Sequence, residues 1–143
     1  MNQLTEILED KGRDVLRIDA EASVLEAIQL MVEMNVGSLL VTEGGEISGI
    51  VTERDYLRRM TLEGRNEVET HVGEIMSSPL VVATPETTID ECMAVMSDRR
   101  IRHLPIIEEG EVVGLVSIGD LVRFKSKQQT FEIQYLTSYI AAG

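Results

Sequence analysis

The chain has 143 residues, of which 43% are hydrophobic and 27% charged, and its formal net charge is −12 at pH 7. This length and composition are typical of a globular domain with a sizeable core, and the acidic balance disfavours DNA or RNA as a partner, because phosphate backbones bind basic surfaces. The longest apolar runs are too short to span a bilayer and residues 1–10 lack the features of a signal peptide, so we expect no membrane partner and a cytoplasmic location.

The first part of the chain predicts a helix, a strand and a second helix. Residues 1–12 form the first helix, which ends at Gly12, and Val15–Ile18 is a strand candidate. The apolar face of the helix over residues 1–12 consists of Leu4, Ile7 and Leu8. Ser23 and Glu26 then have the spacing of a capping box. The apolar residues that follow recur at helical intervals and are Val24, Ala27, Ile28, Met31 and Met34.

A β-hairpin and a further helix come next. Ser38–Val41 and Ile47–Val51 are apolar runs that flank the Gly44-Gly45 turn signal. Another helix begins at about Glu53.

The same order of elements returns 65 residues later. Between residues 15–59 and 80–124, eleven of 45 aligned pairs are identical. The second copy repeats the capping box with Thr88 and Glu91, turns its hairpin at Glu109-Gly110, and begins its last helix at about Ile118. Its hairpin strands are Leu104–Ile107 and Val112–Val116. The chain is therefore a tandem duplication of a β-α-β-β-α unit.

One copy cannot bury its own apolar strands, so we predict that the two copies pack with pseudo-twofold symmetry in an α/β fold of the α+β type. The expected boundaries are residues 1–12 for a short N-terminal helix, 13–62 for the first repeat, 63–77 for a linker, 78–124 for the second repeat and 125–143 for a long helical tail.

Two residues with reactive or metal-binding side chains, Cys92 and His71, have simpler interpretations. Cys92 aligns with Ala27 on an apolar helix face, which favours a buried small residue over a reactive thiol. His71 in the linker is more typical of a solvated histidine than of a metal ligand. The sequence has no catalytic constellation, metal-ligand cluster or Walker loop, so we predict neither an enzyme nor a metal site.

The tail contains most of the aromatic residues. Four of the five aromatics lie from residue 124 onward, namely Phe124, Phe131, Tyr135 and Tyr139. They predict an amphipathic helix, together with Leu121. Its aromatic face either binds another protein or covers the core of this domain, and both readings remain open.

A hydroxyl and a carboxylate recur where each hairpin meets its second helix. These pairs are Thr52 with Asp55 and Ser117 with Asp120, each at a spacing of three. One interpretation is a capping box, in which each side chain satisfies a backbone amide. The other is a ligand site, in which the helix start and the hydroxyl hold a phosphate while the carboxylate accepts two hydrogen bonds from a ribose diol.

The repeated motif resembles that of the cystathionine-β-synthase (CBS) domain family. The resemblance rests on residues 49–55 (Gly-Ile-Val-Thr-Glu-Arg-Asp), residues 114–120 (Gly-Leu-Val-Ser-Ile-Gly-Asp) and the strand entry at residues 101–106 (Ile-Arg-His-Leu-Pro-Ile). It covers about residues 12–124 and implies a tandem CBS pair, or Bateman module, of the stand-alone signal-transduction type. Such modules bind AMP, ADP, ATP, and in some members NAD or S-adenosylmethionine, in two clefts between the repeats.

The resemblance also implies which residues bind the ligand. Asp55 and Asp120 would hold ribose hydroxyls, Thr52 and Ser117 would contact phosphate, and Arg54 is a further candidate. In the Asp120 cleft the other candidates are Val36, Gly37, Ser38, Arg13 and Ile18. In the Asp55 cleft they are Ile101, Arg102, His103, Ser78, Pro79 and Leu80.

The repeats differ most at these strand entries, where Arg102 and His103 replace Gly37 and Ser38. Arg102 and His103 favour phosphate contact, because guanidinium pairs strongly with phosphate, whereas for Arg99 and Arg100 a solvated helix end is equally compatible with the sequence. We therefore expect the two clefts to differ in affinity.

Three functions fit this sequence. The first is a nucleotide sensor without catalytic activity, in which ligand changes the geometry of the repeats or of a homodimer. The second is a ligand-free scaffold that regulates a partner protein through the C-terminal helix. The third is the detached regulatory subunit of an enzyme or transporter. The intact hydroxyl–carboxylate pairs favour the first.

Overall fold

The computed structural model describes residues 2–78 and 80–128, which fall into two compact units. The repeat-1 unit contains residues 14–81, and the repeat-2 unit contains residues 2–13 together with residues 82–128. The predicted roles of Pro79 and of the tail beyond Gln128 lie outside the described residues. Each unit mixes helices with a small sheet, which gives an α+β fold, and the pseudo-twofold packing of the repeats stays a prediction.

The helices and strands follow the predicted order, apart from the first strand of the second repeat. In chain order they are α1 (Leu4–Lys11), β1 (Arg17–Asp19), α2 (Val24–Met34), β2 (Ser38–Glu43), β3 (Glu46–Thr52), α3 (Glu53–Asp55), a π-helical turn (Tyr56–Met60), α4 (Thr61–Glu63), α5 (Val72–Ile75), α6 (Ile89–Arg99), β4 (His103–Glu108), β5 (Glu111–Ser117) and α7 (Ile118–Gln128). The predicted helix starts at Glu53 and Ile118 are confirmed. The first strand begins two residues later than Val15.

Both hairpins have the same register. In the repeat-1 unit Leu39 lies opposite Val51, and in the repeat-2 unit Leu104 lies opposite Val116. Both residues of each turn have positive φ, at 59° and 85° for Gly44-Gly45 and at 52° and 78° for Glu109-Gly110. This is the pattern of the type I′ turn, whose twist matches that of the flanking strands, so the predicted hairpins are confirmed.

The first strand of the second repeat is reduced to a single bridge, which corrects the predicted β-α-β-β-α order there. In repeat 1, strand β1 pairs with β2 in parallel over three residues, and the amide of Leu40 donates to the carbonyl of Leu16. The counterpart of Leu40 is Pro105, which has no amide to donate. Consequently only Ala83 pairs with Ile106.

Two short helices outside the aligned residues, α1 and α5, are related to each other by a different offset. The amide of Leu4 in α1 donates to the carbonyl of Thr87 at 2.9 Å, and that of Val72 in α5 donates to Ala22 at 2.8 Å. Thr87 and Ala22 are 65 residues apart, whereas Leu4 and Val72 are 68 apart. The N-terminal helix therefore packs on the second repeat in the way that the linker helix packs on the first.

Apolar residues fill the inside of each unit as the helical spacing predicts. Val24, Ala27 and Met31 of α2 are buried, but Met34 is 49% exposed, so the predicted stripe ends one turn early. Cys92 is fully buried, and burial raises the pKa of its thiol to about 11. The predicted burial of Cys92 is therefore confirmed, and its low reactivity stays a prediction.

Candidate functional site

The first candidate site is built at the junction of β3 and α3. Thr52 ends the strand, and its hydroxyl accepts a hydrogen bond from the amide of Asp55 at 3.1 Å. In return, Asp55 Oδ2 accepts from the amide of Thr52 at 3.0 Å. The capping-box interpretation is therefore confirmed for this pair.

The capping box leaves the second carboxylate oxygen of Asp55 facing another partner. Asp55 Oδ1 accepts a hydrogen bond from the hydroxyl of Ser77 at 3.1 Å. Ser77 is held in place because its backbone pairs with Ile50, with N–O distances of 2.8 and 3.1 Å. We call Thr52, Asp55 and Ser77 the repeat-1 half-site, in which the carboxylate has only uncharged partners among the described contacts.

The second repeat builds the same box but surrounds its carboxylate with cations. Asp120 Oδ2 accepts from the amide of Ser117 at 2.8 Å and from Lys11 Nζ at 2.6 Å. Arg123 donates to Asp120 Oδ1. Lys11 Nζ also donates to the carbonyl of Leu115, the counterpart of Ile50, at 2.7 Å. We call Lys11, Ser117, Asp120 and Arg123 the repeat-2 half-site.

Asp120 keeps its negative charge although it is only 8% exposed. Burial alone would raise its pKa, but hydrogen bonds from Lys11 and Ser117 outweigh burial and hold the pKa below its ordinary value. A groove of about 440 Å³ opens beside this carboxylate between α1 and α7. It is lined by Glu6, Ile7, Asp10, Lys11, Asp120, Arg123, Phe124 and Lys127.

The strand entries lie next to the motif of their own repeat. The carbonyl of Gly37 accepts from the amide of Glu53 at 3.1 Å, and that of Arg102 accepts from Ile118 at 2.8 Å. Ser38 is paired with Thr52, just as His103 is paired with Ser117. The flanking residues Val36 and Ile101 are half-buried.

The other predicted site residues are scattered within the two units. Arg13 pairs with Glu108, at 3.6 Å, rather than with a half-site residue. Arg54 and Ser78 are exposed, whereas Ile18 in β1 and Leu80 are half-buried. Each predicted cleft combines residues of both units, and that combination stays a prediction.

Sequence reasoning missed three residues that contact the carboxylates, namely Lys11, Ser77 and Arg123. Arg123 had a signal, because it forms one of the identical pairs, with Arg58, three residues after the aspartate. Lys11 and Ser77 lie before the aligned region, where the repeat changes from an offset of 65 to one of 68. An alignment that allowed this three-residue shift would have shown that the two segments are counterparts, but not that they contact the motif.

A second groove lies on the helical face of the repeat-1 unit. It has a volume of about 490 Å³ and is lined by Ile28, Met31, Val32, Asn35, Val36, Gly37, Glu53, Tyr56 and Leu57. Val32 is 76% exposed and Leu57 62% exposed. An apolar groove with exposed aliphatic side chains on its rim is typical of an interaction surface.

Two copies of one unit, each with a hydroxyl–carboxylate box at a helix start, define the chain as a tandem domain pair. The family model of the CBS domain matches twice, over residues 8–62 and 72–127. The chain therefore belongs to the CBS-domain family. Tandem CBS pairs are regulatory modules that bind adenosine-containing ligands.

The similar proteins include stand-alone CBS-domain proteins. The "CBS domain-containing protein CBSX3, mitochondrial" of Arabidopsis thaliana is 38% identical, over 98% of this chain and 72% of that protein. A structure of a protein with CBS domains from Burkholderia ambifaria MC40-6, assigned to signal transduction, is 42% identical with a TM-score of 0.85, over 89% of this chain and 96% of that one.

A more distant structure shares the fold. The CBS domain pair of protein MJ0100 has a TM-score of 0.75 and 22% identity, over 85% of this chain and 98% of that one. That protein was crystallised with 5′-methylthioadenosine and S-adenosyl-L-methionine.

Two kinds of feature are absent from the described residues. No helix in residues 2–78 and 80–128 is long and apolar enough to cross a membrane. The same part of the chain holds no group of three His, Cys, Asp or Glu side chains that could bind a metal ion.

Proposed function

We propose that the chain is a regulatory module that binds adenine nucleotides, AMP, ADP or ATP, with NAD and S-adenosylmethionine as further candidates. Asp55 and Asp120 would accept hydrogen bonds from ribose hydroxyls, and Thr52 and Ser117 would lie near phosphate. Ligand would change the geometry of a homodimer or of a partner protein through its different affinities for two states.

One observation carries this proposal. In each repeat the capping box uses Oδ2 of the aspartate, while Oδ1 contacts a side chain that can move away, Ser77 in one case and Arg123 in the other. A box that served folding alone would need only the first oxygen. The second oxygen is available to a ribose diol once Ser77 or Arg123 rotates.

Substitution of each aspartate by asparagine tests the ribose contact. Asn keeps one oxygen for the backbone amide of the capping box but replaces the other acceptor with an NH2 group. We expect Asp55→Asn and Asp120→Asn each to weaken nucleotide binding by roughly 10- to 100-fold, since a hydrogen bond to a charged group contributes about 1.5–3 kcal/mol. Isothermal titration with AMP, ATP, NAD and S-adenosylmethionine measures the change.

The matched control is Glu91→Gln. Glu91 is the carboxylate of a capping box too, because its side chain accepts from the amide of Thr88 at 3.1 Å, but it lies in α6, outside both half-sites. We expect this variant to bind nucleotide like the parent protein. If the two aspartate variants also bind like the parent, or if no adenosine ligand binds the parent, the proposed function is wrong.

We also propose that the homodimer forms through the helical groove of the repeat-1 unit. The rim residues Val32 and Leu57 are exposed in the single chain, whereas position 97, the counterpart of Val32 in repeat 2, is Ser. A second copy of the chain would cover these side chains. Val32→Asp should convert the dimer to a monomer in sedimentation experiments, and Ser97→Asp should not.

Further parts of the proposal concern the partner protein, the absence of catalysis and the location. We propose that it regulates an enzyme or transporter partner without catalysing a reaction itself, and that it acts in the cytoplasm without binding nucleic acid. The alternative, a ligand-free scaffold that acts through its C-terminal helix, depends on residues beyond Gln128 and stays a prediction. A protein that still regulates its partner when both aspartates are substituted would favour the scaffold.

A further inference from the structure

The two half-sites hold their carboxylates with partners of different charge. Asp55 Oδ1 contacts the neutral hydroxyl of Ser77. Asp120 contacts Lys11 through Oδ2 and Arg123 through Oδ1. We infer that the two half-sites select different ligands: the repeat-2 half-site requires a phosphate on its adenosine ligand, and the repeat-1 half-site accepts adenosine compounds without one. This inference rests on the proposed function.

The repeats contain the same arginine but place it differently. Arg58 and Arg123 each lie three residues after their aspartate. Arg123 belongs to the regular helix α7, where residues three apart are neighbours on one face. Arg58 lies in the π-helical turn Tyr56–Met60, whose wider i to i+5 bonding removes that neighbour relation, and Asp55 contacts Ser77 instead.

Position 54 reinforces this difference. Its counterpart is Gly119, and a Cβ atom built there would lie 3.3 Å from Nη1 of Arg123. A side chain at residue 119 would require the guanidinium to shift by a few tenths of an ångström, so the glycine leaves more room for the contact between Arg123 and Asp120. In repeat 1 the same position is Arg54, a large residue.

The charge of these partners sets the cost of admitting a ribose. A neutral diol that displaces Ser77 exchanges one hydroxyl-to-carboxylate hydrogen bond for another of the same kind. A neutral diol that displaces Arg123 replaces an ion pair with a hydrogen bond in which only the carboxylate is charged. An uncharged adenosine compound therefore gains less at Asp120 than at Asp55.

A phosphate on the ligand changes this balance in repeat 2. The side chain of Arg123 is 69% exposed, so it can rotate from Asp120 to a phosphate, which it binds with two parallel N–H donors. Lys11 stays at Oδ2 and preserves the negative charge of Asp120. The 440 Å³ groove beside these residues has room for the displaced guanidinium and the phosphate.

Titrations with AMP and adenosine test the inference, because the two compounds differ only in the phosphate. Asp55→Asn isolates the repeat-2 half-site, and Asp120→Asn isolates the repeat-1 half-site. In the Asp55→Asn protein we expect AMP to bind at least about tenfold more tightly than adenosine, and we expect Arg123→Gln to reduce this ratio about tenfold. Arg123→Lys, which keeps the charge but loses the fork, should retain part of the preference.

The matched control is Arg58→Gln in the Asp120→Asn protein. We expect a small preference for AMP there and no change on substitution, because Arg58 does not contact the carboxylate. The inference is overturned if Arg123→Gln leaves the ratio unchanged, or if Arg58→Gln lowers it as much in its own repeat. If both aspartate variants weaken nucleotide binding but Arg123→Gln leaves the ratio of AMP to adenosine affinity unchanged, only this inference is overturned. Binding of neither compound to the parent protein overturns the proposed function as well.

Discussion

The glycine that opens each repeated motif lies where another segment of the chain crosses the sheet. A Cβ atom at Gly114 would lie 2.3 Å from Leu8 Cδ2, and one at Gly49 would lie 2.7 Å from Met76 Sδ and 2.8 Å from the carbonyl oxygen of Ser77. Leu8 and Met76 are counterparts under the 68-residue offset. We therefore predict that Gly49→Ala and Gly114→Ala both destabilise the protein, and that Gly49→Ala does so more strongly.

The atoms that obstruct the new methyl group determine the magnitude. At Gly114 only a terminal methyl interferes, since Leu8 Cγ is already at an ordinary 3.7 Å, and a rotation of that side chain costs about 0.5–1.5 kcal/mol. At Gly49 the backbone of Ser77, which is paired with Ile50, must move as well. Overpacking of a core costs about 1–3 kcal/mol, so we expect about 1 kcal/mol at Gly114 and about 3 kcal/mol at Gly49.

Urea unfolding of the single and double variants measures these values. Leu8→Ala removes the obstructing methyl, so Leu8→Ala with Gly114→Ala should be no less stable than Leu8→Ala alone. Met76→Ala leaves the Ser77 carbonyl in place, so it should not rescue Gly49→Ala. Equal losses at the two glycines, or rescue of Gly49→Ala by Met76→Ala, would refute the reasoning.

Three further predictions concern capping, titration and thiol reactivity. Thr88→Ala removes the acceptor for the Glu91 amide and should lower the free energy of unfolding by about 1 kcal/mol in urea; an unchanged midpoint would contradict this. Because the pKa of Asp120 is lowered by folding, its contribution to stability is complete above the ordinary value of about 3.9 and is lost as the pH falls through the folded value. The free energy of unfolding of Asp120→Asn should therefore fall less than that of the parent protein as the pH is lowered. If the two plots of unfolding free energy against pH are parallel, the Lys11 contact is contradicted. Burial raises the pKa of Cys92 to about 11, so the native thiol should react with a disulfide reagent at pH 8 at least about 100-fold more slowly than the urea-unfolded thiol, and equal rates would show it to be accessible.

The parts of the fold that the sequence predicts well depend on short-range patterns. The hairpins follow from apolar runs around Gly44-Gly45 and Glu109-Gly110, where positive φ is needed. The capping boxes follow from a hydroxyl and a carboxylate three residues apart. These features involve residues that are close in sequence, so their geometry does not depend on how the repeat packs against other segments.

The parts that the sequence does not predict depend on contacts between distant segments. Lys11 reaches Asp120 across 109 residues of sequence. It can do so because α1 ends at Lys11, whereas α5 ends at Ile75, whose counterpart in α1 is Ile7, one helical turn earlier. The first strand of repeat 2 is lost for a similar reason, since the missing amide of Pro105 matters only where a parallel neighbour would need it. Neither effect leaves a local pattern.

The repeated Ser/Thr-x-x-Asp spacing does not by itself distinguish folding from binding. Both boxes satisfy backbone amides, which would be reason enough for a hydroxyl and a carboxylate at this spacing. The capping box itself does not involve the second oxygen of each carboxylate. Ser77 contacts this oxygen in one repeat, and Arg123 contacts it in the other. A ligand that displaces Ser77 and Arg123 would meet a carboxylate without cations in one repeat and a carboxylate flanked by Lys11 and Arg123 in the other. The preference for phosphate would then differ between the repeats although their motifs are nearly identical.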